Sequence, residues 1–434
     1  MRDNRAVTAT GSGWTAWRVV LGFGVVSLTA DMVYEGARSM YGPLLASLGA
    51  TAAVVGLVTG AGEAMALVLR LASGTLADRS GKYWSLTIWG YGLTAVCVPL
   101  LAVAPFVGGA GLALATVLIL LERSGKAIRS PSKSALLAHA AGAVGRGRGR
   151  GFGVHKALDQ TGAVLGPLVV AAVVATTSAI WPAMLVLALP GAAAMVLLTI
   201  MRRGVPDLTI FDGAVDTTTA SASPADDGAA SSRRGLAGRW LADAAGNGLP
   251  REFFGYAAAA ALTTGALVTF GLISFHLTAS GLVPVAVVPV VYAVAMGIEA
   301  LAALATGWLY DRVSSRVLLV VPLLVAAVPA LALSQQVGLA LAGVAVWAAA
   351  YGVQDSTIKA LVADLVEPAR LATAYGVFAA IQGAMAVVGG GVAGWLYEVS
   401  VPALVAVVAL SQVAAFVLLA RTVGRVHPLS HLQT

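Results

Sequence analysis

Ionisable side chains occur inside long apolar segments of this chain, where a charge is costly and therefore usually functional. Asp31 and Glu35 are four residues apart among apolar neighbours, so both lie on one face of a predicted helix, and Arg38 follows one turn further on. Glu63 lies in the middle of the next apolar segment. A carboxyl group in such surroundings can bind and release a proton, and Asp31 is the first candidate, followed by Glu35 and Glu63. The alternative is a permanent ion pair with Arg38 or Arg70 that only stabilises the fold.

Further polar residues in apolar segments are predicted to face a cavity between helices. Tyr34 adjoins Glu35, and the second half of the chain contains Tyr292, Glu299 and Gln382. Most tyrosines of membrane proteins anchor the interface or pack, so only a few are expected to contact substrate. The predicted coupling or substrate-binding residues are Asp31, Tyr34, Glu35, Glu63, Tyr292, Glu299 and Gln382.

Two acid–base pairs at helical spacing are predicted to form salt bridges of a cytoplasmic gate. Asp159 follows Lys156 by three residues, and Lys359 follows Asp355 by four. Each pair lies near the predicted cytoplasmic end of a helix. An ion pair between the two halves of the protein is therefore favoured over proton transfer at these positions.

The composition requires a membrane as solvent. Of 434 residues, 59% are hydrophobic and 11% are charged, with a mean hydropathy of +0.87, whereas soluble domains carry about 25% charged residues. Cys97 is the only cysteine, which excludes an intramolecular disulfide or a cysteine metal site. The sequence has no phosphate loop, zinc pattern or nucleophile elbow, so we expect neither an enzyme nor a cofactor. The expected partners are a small-molecule substrate, protons and the lipid bilayer, without nucleic acid, and the expected state is a monomer.

Apolar runs of about 20 residues, the length that crosses a bilayer, occur twelve times. Six precede and six follow a polar stretch whose middle, 216–232, is rich in Thr, Ser, Ala and Asp and is predicted to be disordered. The sequence thus predicts an all-α membrane protein with twelve transmembrane helices in two six-helix bundles. The predicted spans are 17–45, 51–72, 84–105, 108–128, 151–176, 178–202, 251–275, 283–309, 316–334, 336–357, 372–396 and 402–421. The predicted divisions are a tail 1–14, a bundle 15–202, a central loop 203–250, a bundle 251–421 and a tail 422–434.

The basic residues outside the predicted spans lie in alternate connections, while the opposite connections contain no Lys or Arg. The positive-inside rule therefore places both termini and the central loop in the cytoplasm. This orientation corresponds to a multi-pass protein of a bacterial inner membrane. The basic residues of the predicted cytoplasmic connections include Arg79, Lys82, Arg129, Lys133, Arg146, Arg148, Arg150, Arg202, Arg203, Arg312 and Arg316.

A polar hinge occurs twice between predicted helices, at 74–82 and at 307–316. Such a repeat indicates two halves of the same orientation, as in transporters that rock two bundles about a central site. The hinges resemble the loop between helices 2 and 3 of the major facilitator superfamily, and the resemblance covers nearly the whole chain. It implies the fold of that superfamily and a cytoplasmic latch at Asp78 and Arg79, although Asp78 could instead cap the following helix. The predicted hinge and gate residues are Gly74, Asp78, Arg79, Gly81, Lys82, Arg123, Asp159, Gly307, Asp311, Arg312, Asp355 and Lys359.

Small residues in the predicted fifth span resemble a motif of drug:proton antiporters within this superfamily. They are Gly153, Gly162, Gly166 and Pro167, but Val170 and Ala171 stand where the motif has two further glycines. Small residues permit close helix contact and proline bends a helix, so packing alone is the alternative explanation. Arg123 occupies the position of an antiporter arginine implicated in proton transfer, whereas Lys126 and Ala127 replace the motif's Gln and Gly.

Three functions are compatible with these patterns. The first hypothesis is proton-coupled efflux of small amphiphilic compounds by alternating access. The second is a metabolite or organic-anion importer or uniporter, which the basic residues disfavour because most lie toward predicted helix ends. The third is a receptor or assembly factor that transports nothing, which the doubled hinge argues against.

Overall fold

The computed structural model describes residues 14–144, 148–214, 249–366 and 370–423, which are mainly α-helical. The first half of the described chain forms α1 Ala16–Arg38, α2 Tyr41–Ser47, α3 Ala52–Ser80, α4 Tyr83–Leu100, α5 Gly111–Ala143, α6 Arg148–Thr177, α7 Trp181–Val186 and α8 Ala188–Gly204. The second half forms α9 Arg251–Ala266, α10 Phe270–Ala279, α11 Val288–Val313, α12 Val320–Ala332, α13 Val337–Leu365, α14 Leu371–Val399 and α15 Val401–Val423. The stretch 216–232 and most of the two tails lie outside the described residues.

Eleven helical segments of the described chain are long and apolar enough to cross a membrane. The remaining predicted crossing corresponds to α5, whose five charged residues between Glu122 and Lys133 exclude it from that set. The chain is therefore an all-helical, multi-pass membrane protein. A twelfth crossing and the cytoplasmic position of the termini stay predictions.

Local sequence signals set several helix ends. The hydroxyl oxygens of Thr15, Thr51 and Thr269 accept hydrogen bonds from backbone N–H groups of the first turn of α1, α3 and α10. At the other end of α3, Gly81 takes a left-handed conformation with φ +63°, which terminates the helix. The first hinge is consequently not a long loop. Residues 74–80 are helical, and only Gly81 and Lys82 connect α3 to α4.

Several predicted spans differ from the structure; the spans 51–72 and 336–357, for example, continue as helices to Ser80 and Leu365. The span 17–45 breaks at Ser39 and Met40, and the span 251–275 breaks at 267–269. The span 108–128 is too short, because α5 continues to Ala143. Arg129 and Lys133, assigned to a loop because of their charge, lie on this helix, where acids of neighbouring helices compensate them.

The helices form two bundles that touch mainly at one end. In the first bundle α1 packs on α6 and α8, and α5 packs on α3 and α4; in the second, α11 and α12 pack on α13, and α9 packs on α14 and α15. The halves meet where α3 packs along α14, α6 along α11 and α2 against α10. At the hinge ends of α6 and α14, a Cβ on Gly153 or Gly376 would meet no heavy atom within 4 Å. We call the end near Ala52 and Gly394 the closed end, and the end near the hinges the open end.

Glycines permit the closest contact between the bundles. A Cβ on Gly390 of α14 would lie 2.3 Å from the carbonyl oxygen of Gly56 in α3, and one on Gly60 would lie 2.4 Å from the oxygen of Ala386. Side chains here would force the two backbones apart. Four hydrogen bonds among the described residues also cross between the halves: from Ala53 N to Glu398 (2.9 Å), between Thr59 and Thr269 (2.8 Å), from Gln160 to the Met296 carbonyl (2.9 Å), and from the Tyr292 hydroxyl to Glu35 (2.5 Å).

We predict that Gly390→Ala opens the closed end, because the added methyl group cannot fit against Gly56. Thr59, which is buried at this contact, is changed to Cys in a Cys97→Ser background, and its labelling by a hydrophilic maleimide is followed. Labelling should become several-fold faster in Gly390→Ala. The matched control is Gly391→Ala, whose Cβ meets only Leu57 at 3.7 Å. Equal labelling in both variants would contradict the proposed role of the glycine contact.

Candidate functional site

A row of charged and polar side chains joins α1 to α5 inside the first bundle. Helices α1 and α5 run antiparallel, so residues three or four positions apart on one helix lie opposite residues at the same spacing on the other. Lys133 Nζ donates to Ser27 (3.0 Å), Arg129 pairs with Asp31 (3.2 Å), and Lys126 pairs with Glu35 (3.5 Å). With their further partners on α3 and α6 they form what we call the charged cluster, whose ionisable members are Asp31, Glu35, Arg38, Glu63, Glu122, Arg123, Lys126, Arg129, Lys133, Lys156 and Asp159.

One carboxylate oxygen connects two guanidinium groups in the part of the cluster toward the closed end. Glu63 Oε1 on α3 lies 2.7 Å from Arg38 Nη2 and 3.5 Å from Arg123 Nη1. Arg38 also lies 3.6 Å from Glu35, and Arg123 lies 3.8 Å from Glu122. Arg38 thus contacts both Glu35 and Glu63, whereas Asp31 pairs with Arg129; that the predicted pair of Glu35 with Arg38 is a permanent structural lock stays a prediction.

Tyrosine rings surround these cations. The centroid of the Tyr34 ring lies 3.3 Å from Lys126 Nζ and 4.8 Å from the Arg123 guanidinium carbon, and the Tyr34 hydroxyl is hydrogen-bonded to Arg123. Arg129 lies over Tyr91 at 4.3 Å. Cation–π contacts of this kind offset part of the cost of removing a cation from water.

An acid pair lies toward the open end. The carboxyl groups of Asp31 on α1 and Asp159 on α6 adjoin each other. Lys156 Nζ lies 3.0 Å and Lys133 Nζ lies 3.9 Å from Asp159. Two adjacent carboxylates repel each other when both are ionised, and a shared proton removes that repulsion. This is an arrangement that can bind a proton.

The second bundle reaches the cluster through two tyrosines. The Tyr292 hydroxyl of α11 donates a hydrogen bond of 2.5 Å to Glu35, and the ring of Tyr351 on α13 lies 5.5 Å from the Arg38 guanidinium carbon. Tyr292 also packs on Phe270, with ring centroids 4.5 Å apart. Glu35 is thus the acid of the charged cluster that the Tyr292 hydroxyl links to the second bundle.

Amides and hydroxyls occupy the corresponding region of the second bundle. Gln382 on α14 and Gln354 on α13 each donate a 2.9 Å hydrogen bond to Thr264 on α9. Gln382 is buried, and Glu299 is half-buried on α11. Of the residues predicted from the sequence, the structure brings Asp31, Tyr34, Glu35, Glu63 and Tyr292 together, whereas Gln382 joins a separate polar group.

The antiporter-like glycines of α6 mediate helix packing within the first bundle. A Cβ on Gly162 or Gly166 would lie 2.2 Å from the carbonyl oxygens of Leu28 and Met32 in α1, respectively. Pro167 lies inside the helix, and Gly153 lies at the open end. The packing explanation accounts for Gly162 and Gly166 without reference to a substrate.

Several predicted gate residues lie elsewhere than expected. Arg123 is buried in the charged cluster and not at the hinge, because Glu63 and Tyr34 compensate its charge there. Among the described residues, the ion pairs of Asp159 with Lys133 and Lys156 lie within its own bundle and do not join the halves. Asp78 accepts a hydrogen bond from the Tyr83 hydroxyl (3.1 Å), and Arg312 lies 3.5 Å from the Trp308 ring centroid. The side chains of Asp311, Asp355 and Lys359 lie outside the described residues.

The sequence analysis missed several members of the cluster as site residues: Arg38, Glu122, Lys126, Arg129 and Lys133. Their signal is the spacing of Arg123, Lys126, Arg129 and Lys133, which places four cations along one face of a helix opposite the acids of α1. The basic residues were expected mostly toward helix ends. Arg38 does end α1, whereas Arg123 and Lys126 lie in the interior of α5, where each pairs with an acid.

Comparison with known proteins identifies the class. The family model described as Major Facilitator Superfamily matches residues 252–434. An uncharacterized protein of Mycobacterium tuberculosis is 48% identical over 424 residues, which is 97% of each chain. An uncharacterized MFS-type transporter of Methanocaldococcus jannaschii is 29% identical over 143 residues, covering 33% of this chain and 34% of that protein.

Solved structures agree in fold. A crystal structure of a mutant of the nucleoside transporter NupG has a TM-score of 0.68 at 14% identity, covering 94% of this chain and 99% of that one. Identity this low shows a shared fold and not a shared substrate. The chain belongs to the major facilitator superfamily and is a transporter rather than an enzyme.

We predict that Arg129→Met destabilises the protein by about 3–5 kcal/mol, because it leaves Asp31 buried without its cation. The double variant Asp31→Asn/Arg129→Met should regain part of this loss, since both charges are then removed. The melting temperature in detergent reports the change. Arg203→Met, at an exposed position on α8, is the control and should melt like the wild type. A double variant less stable than Arg129→Met would refute the pairing.

Proposed function

We propose that the protein is a proton-coupled secondary transporter that works by alternating access between its two bundles. The observation that carries this proposal is the pair of adjacent carboxyl groups of Asp31 and Asp159 inside the first bundle, which can share a proton. A proton held next to Arg129, Lys133 and Lys156 is released when those cations move closer, and is taken up when they move away. The pair therefore responds to any rearrangement of α1, α5 and α6.

The contacts of Glu35 support a link between this proton and the movement of the bundles. Glu35 lies one turn from Asp31 on α1 and receives the Tyr292 hydroxyl from the second bundle. Separation of the bundles at the closed end would break that hydrogen bond and change the partners of Glu35 to Lys126 and Arg38 alone. When Lys126 and Arg38 move, the electrostatic potential at Asp31 changes. This change would couple substrate exchange to proton exchange.

The proposed setting is a bacterial inner membrane, with the open end toward the cytoplasm, as the basic connections and the mycobacterial relative suggest. The partners are then protons and a small molecule, with no cofactor. Efflux of amphiphilic compounds, which the α6 motif implied, stays a prediction, and the packing contacts of Gly162 and Gly166 lend it no support.

We predict that Asp31→Asn abolishes proton movement driven by substrate. Purified protein is reconstituted into liposomes that contain a pH-sensitive dye, and the internal pH is followed after addition of succinate, inorganic phosphate or tetraphenylphosphonium. The control is Asp207→Asn: the Thr209 side chain and backbone donate to the Asp207 carboxylate and hold its pKa below the usual value, so this exposed acid binds no proton near neutral pH. Probe uptake by the wild type without any pH change would refute proton coupling.

A direct readout tests the shared proton itself. Infrared difference spectra of the wild type at neutral pH should contain the C=O band of a protonated carboxyl group. We expect the band to disappear in both Asp31→Asn and Asp159→Asn, and to persist in Asp207→Asn. A band that survives both variants would assign the proton to another acid.

A further inference from the structure

The charge balance of the cluster depends on the Glu63 carboxylate. Among the described residues the cluster contains six basic and five acidic side chains, but Lys156 is two-thirds exposed (66%), so the buried part contains five of each sign. One oxygen of Glu63 serves both Arg38 and Arg123. If that carboxylate moves away, the two buried cations are left short of negative charge, which is unfavourable unless another anion takes its place.

Unpartnered donors point in the same direction. Two buried guanidinium nitrogens of the cluster, Nε of Arg123 and Nη1 of Arg129, have no hydrogen-bond partner within the described protein, although Arg123 Nε lies 3.8 Å from Glu122 Oε2. Glu122 Oε1 is the corresponding unpartnered carboxylate oxygen of the same cluster. Arg123 and Arg129 are more than nine-tenths buried. Buried donors of this kind cost free energy until an acceptor reaches them.

Two side chains make the cluster accessible. Lys126 and Glu63 each expose about a quarter of their side chains (25%), whereas Arg38 and Arg123 expose 9% and 3%. Glu63 supplies a single oxygen to both guanidinium groups. An external oxyanion can therefore meet Lys126 first and then compete with the Glu63 carboxylate for Arg38 and Arg123.

We propose that the transported substrate is an anion whose carboxylate or phosphate group binds Lys126, Arg38 and Arg123 in the place of the Glu63 carboxylate. Tyr351, on the second bundle, contacts Arg38 and borders the same site. This inference deepens the proposed transport function and rests on it, because only a transporter would carry the bound anion across the membrane. It replaces the amphiphilic substrate class by an anionic one.

The charge of the site can be measured without knowing the substrate. Tyr351, which is partly exposed, is changed to Cys in a Cys97→Ser background. Its reaction rates with a negatively charged sulfonatoethyl and a positively charged trimethylammonioethyl methanethiosulfonate are then compared with those of a free thiol. We expect the negative reagent to be favoured relative to the free thiol. A preference for the positive reagent, equal preference, or no reaction with either would overturn the proposal.

Two charge variants should change the ratio of the two labelling rates, negative reagent to positive reagent, in opposite directions. Lys126→Gln should lower the preference for the negative reagent by roughly tenfold, and Glu63→Gln should raise it by a similar factor. If both residues had only a structural role, the two variants would not change this ratio in opposite directions. Lys82→Gln, in the exposed turn after α3, is the matched control and should leave the ratio unchanged.

Named ligands then distinguish the two oxyanion types. Succinate that slows the labelling of Tyr351→Cys indicates a carboxylate site, and inorganic phosphate that slows it indicates a phosphate site. Protection by tetraphenylphosphonium alone, or by neither anion, would overturn the anion assignment. None of these labelling measurements depends on proton movement. If labelling supports an anionic site but Asp31→Asn still moves protons, only the proposal of proton coupling is rejected, and the anion assignment stands.

Discussion

The pairing of α1 with α5 by charge is the interaction on which the rest of the first bundle depends. Neither row of side chains is stable alone in a medium of low dielectric constant, since an unpaired buried ion costs several kcal/mol. Together, Asp31 with Arg129 and Glu35 with Lys126 compensate each other. The same face of α1 also reaches Tyr292 of the second bundle. A change in this pairing therefore acts on the contact between the bundles as well.

The two halves share a backbone plan but differ in their chemistry. In the first half Asp159 on α6 contacts Asp31 on α1, and in the second half Gln382 on α14 contacts Thr264 on α9. The two contacts occupy corresponding places in the repeat: Phe152-Gly153-Val154 in the first half matches Tyr375-Gly376-Val377 in the second, and running both segments forward aligns Asp159 with Gln382. A carboxyl pair can gain or lose a proton, whereas an amide and a hydroxyl cannot do so near neutral pH. The repeat has thus kept a polar contact in both halves while only one half can titrate.

The sequence predicted twelve long apolar segments, of which the described chain contains eleven that are long and apolar enough to cross a membrane, and five members of the site, because hydropathy and isolated acids are visible in one dimension. It did not predict that α5 continues through Arg129 and Lys133, since their charge alone indicates a connection and only the acids of α1 and α6 permit a buried helix there. The breaks after α1 and before α10 were also missed. Pro43, four residues after Ser39, and the capping residue Thr269 are local signals for them, but both lie within apolar runs.

The charge of α5 has a consequence for how the protein enters the membrane. A basic residue at the centre of an isolated helix raises the free energy of insertion by about 2.5–3.5 kcal/mol, and α5 has several. Its own hydropathy is therefore insufficient for partition into lipid. Helices α1 and α3, which carry Asp31, Glu35 and Glu63, are synthesised earlier and can neutralise α5 as it emerges. Order of synthesis and order of charge pairing coincide, so insertion of α5 is an assembly step of the bundle rather than an independent event.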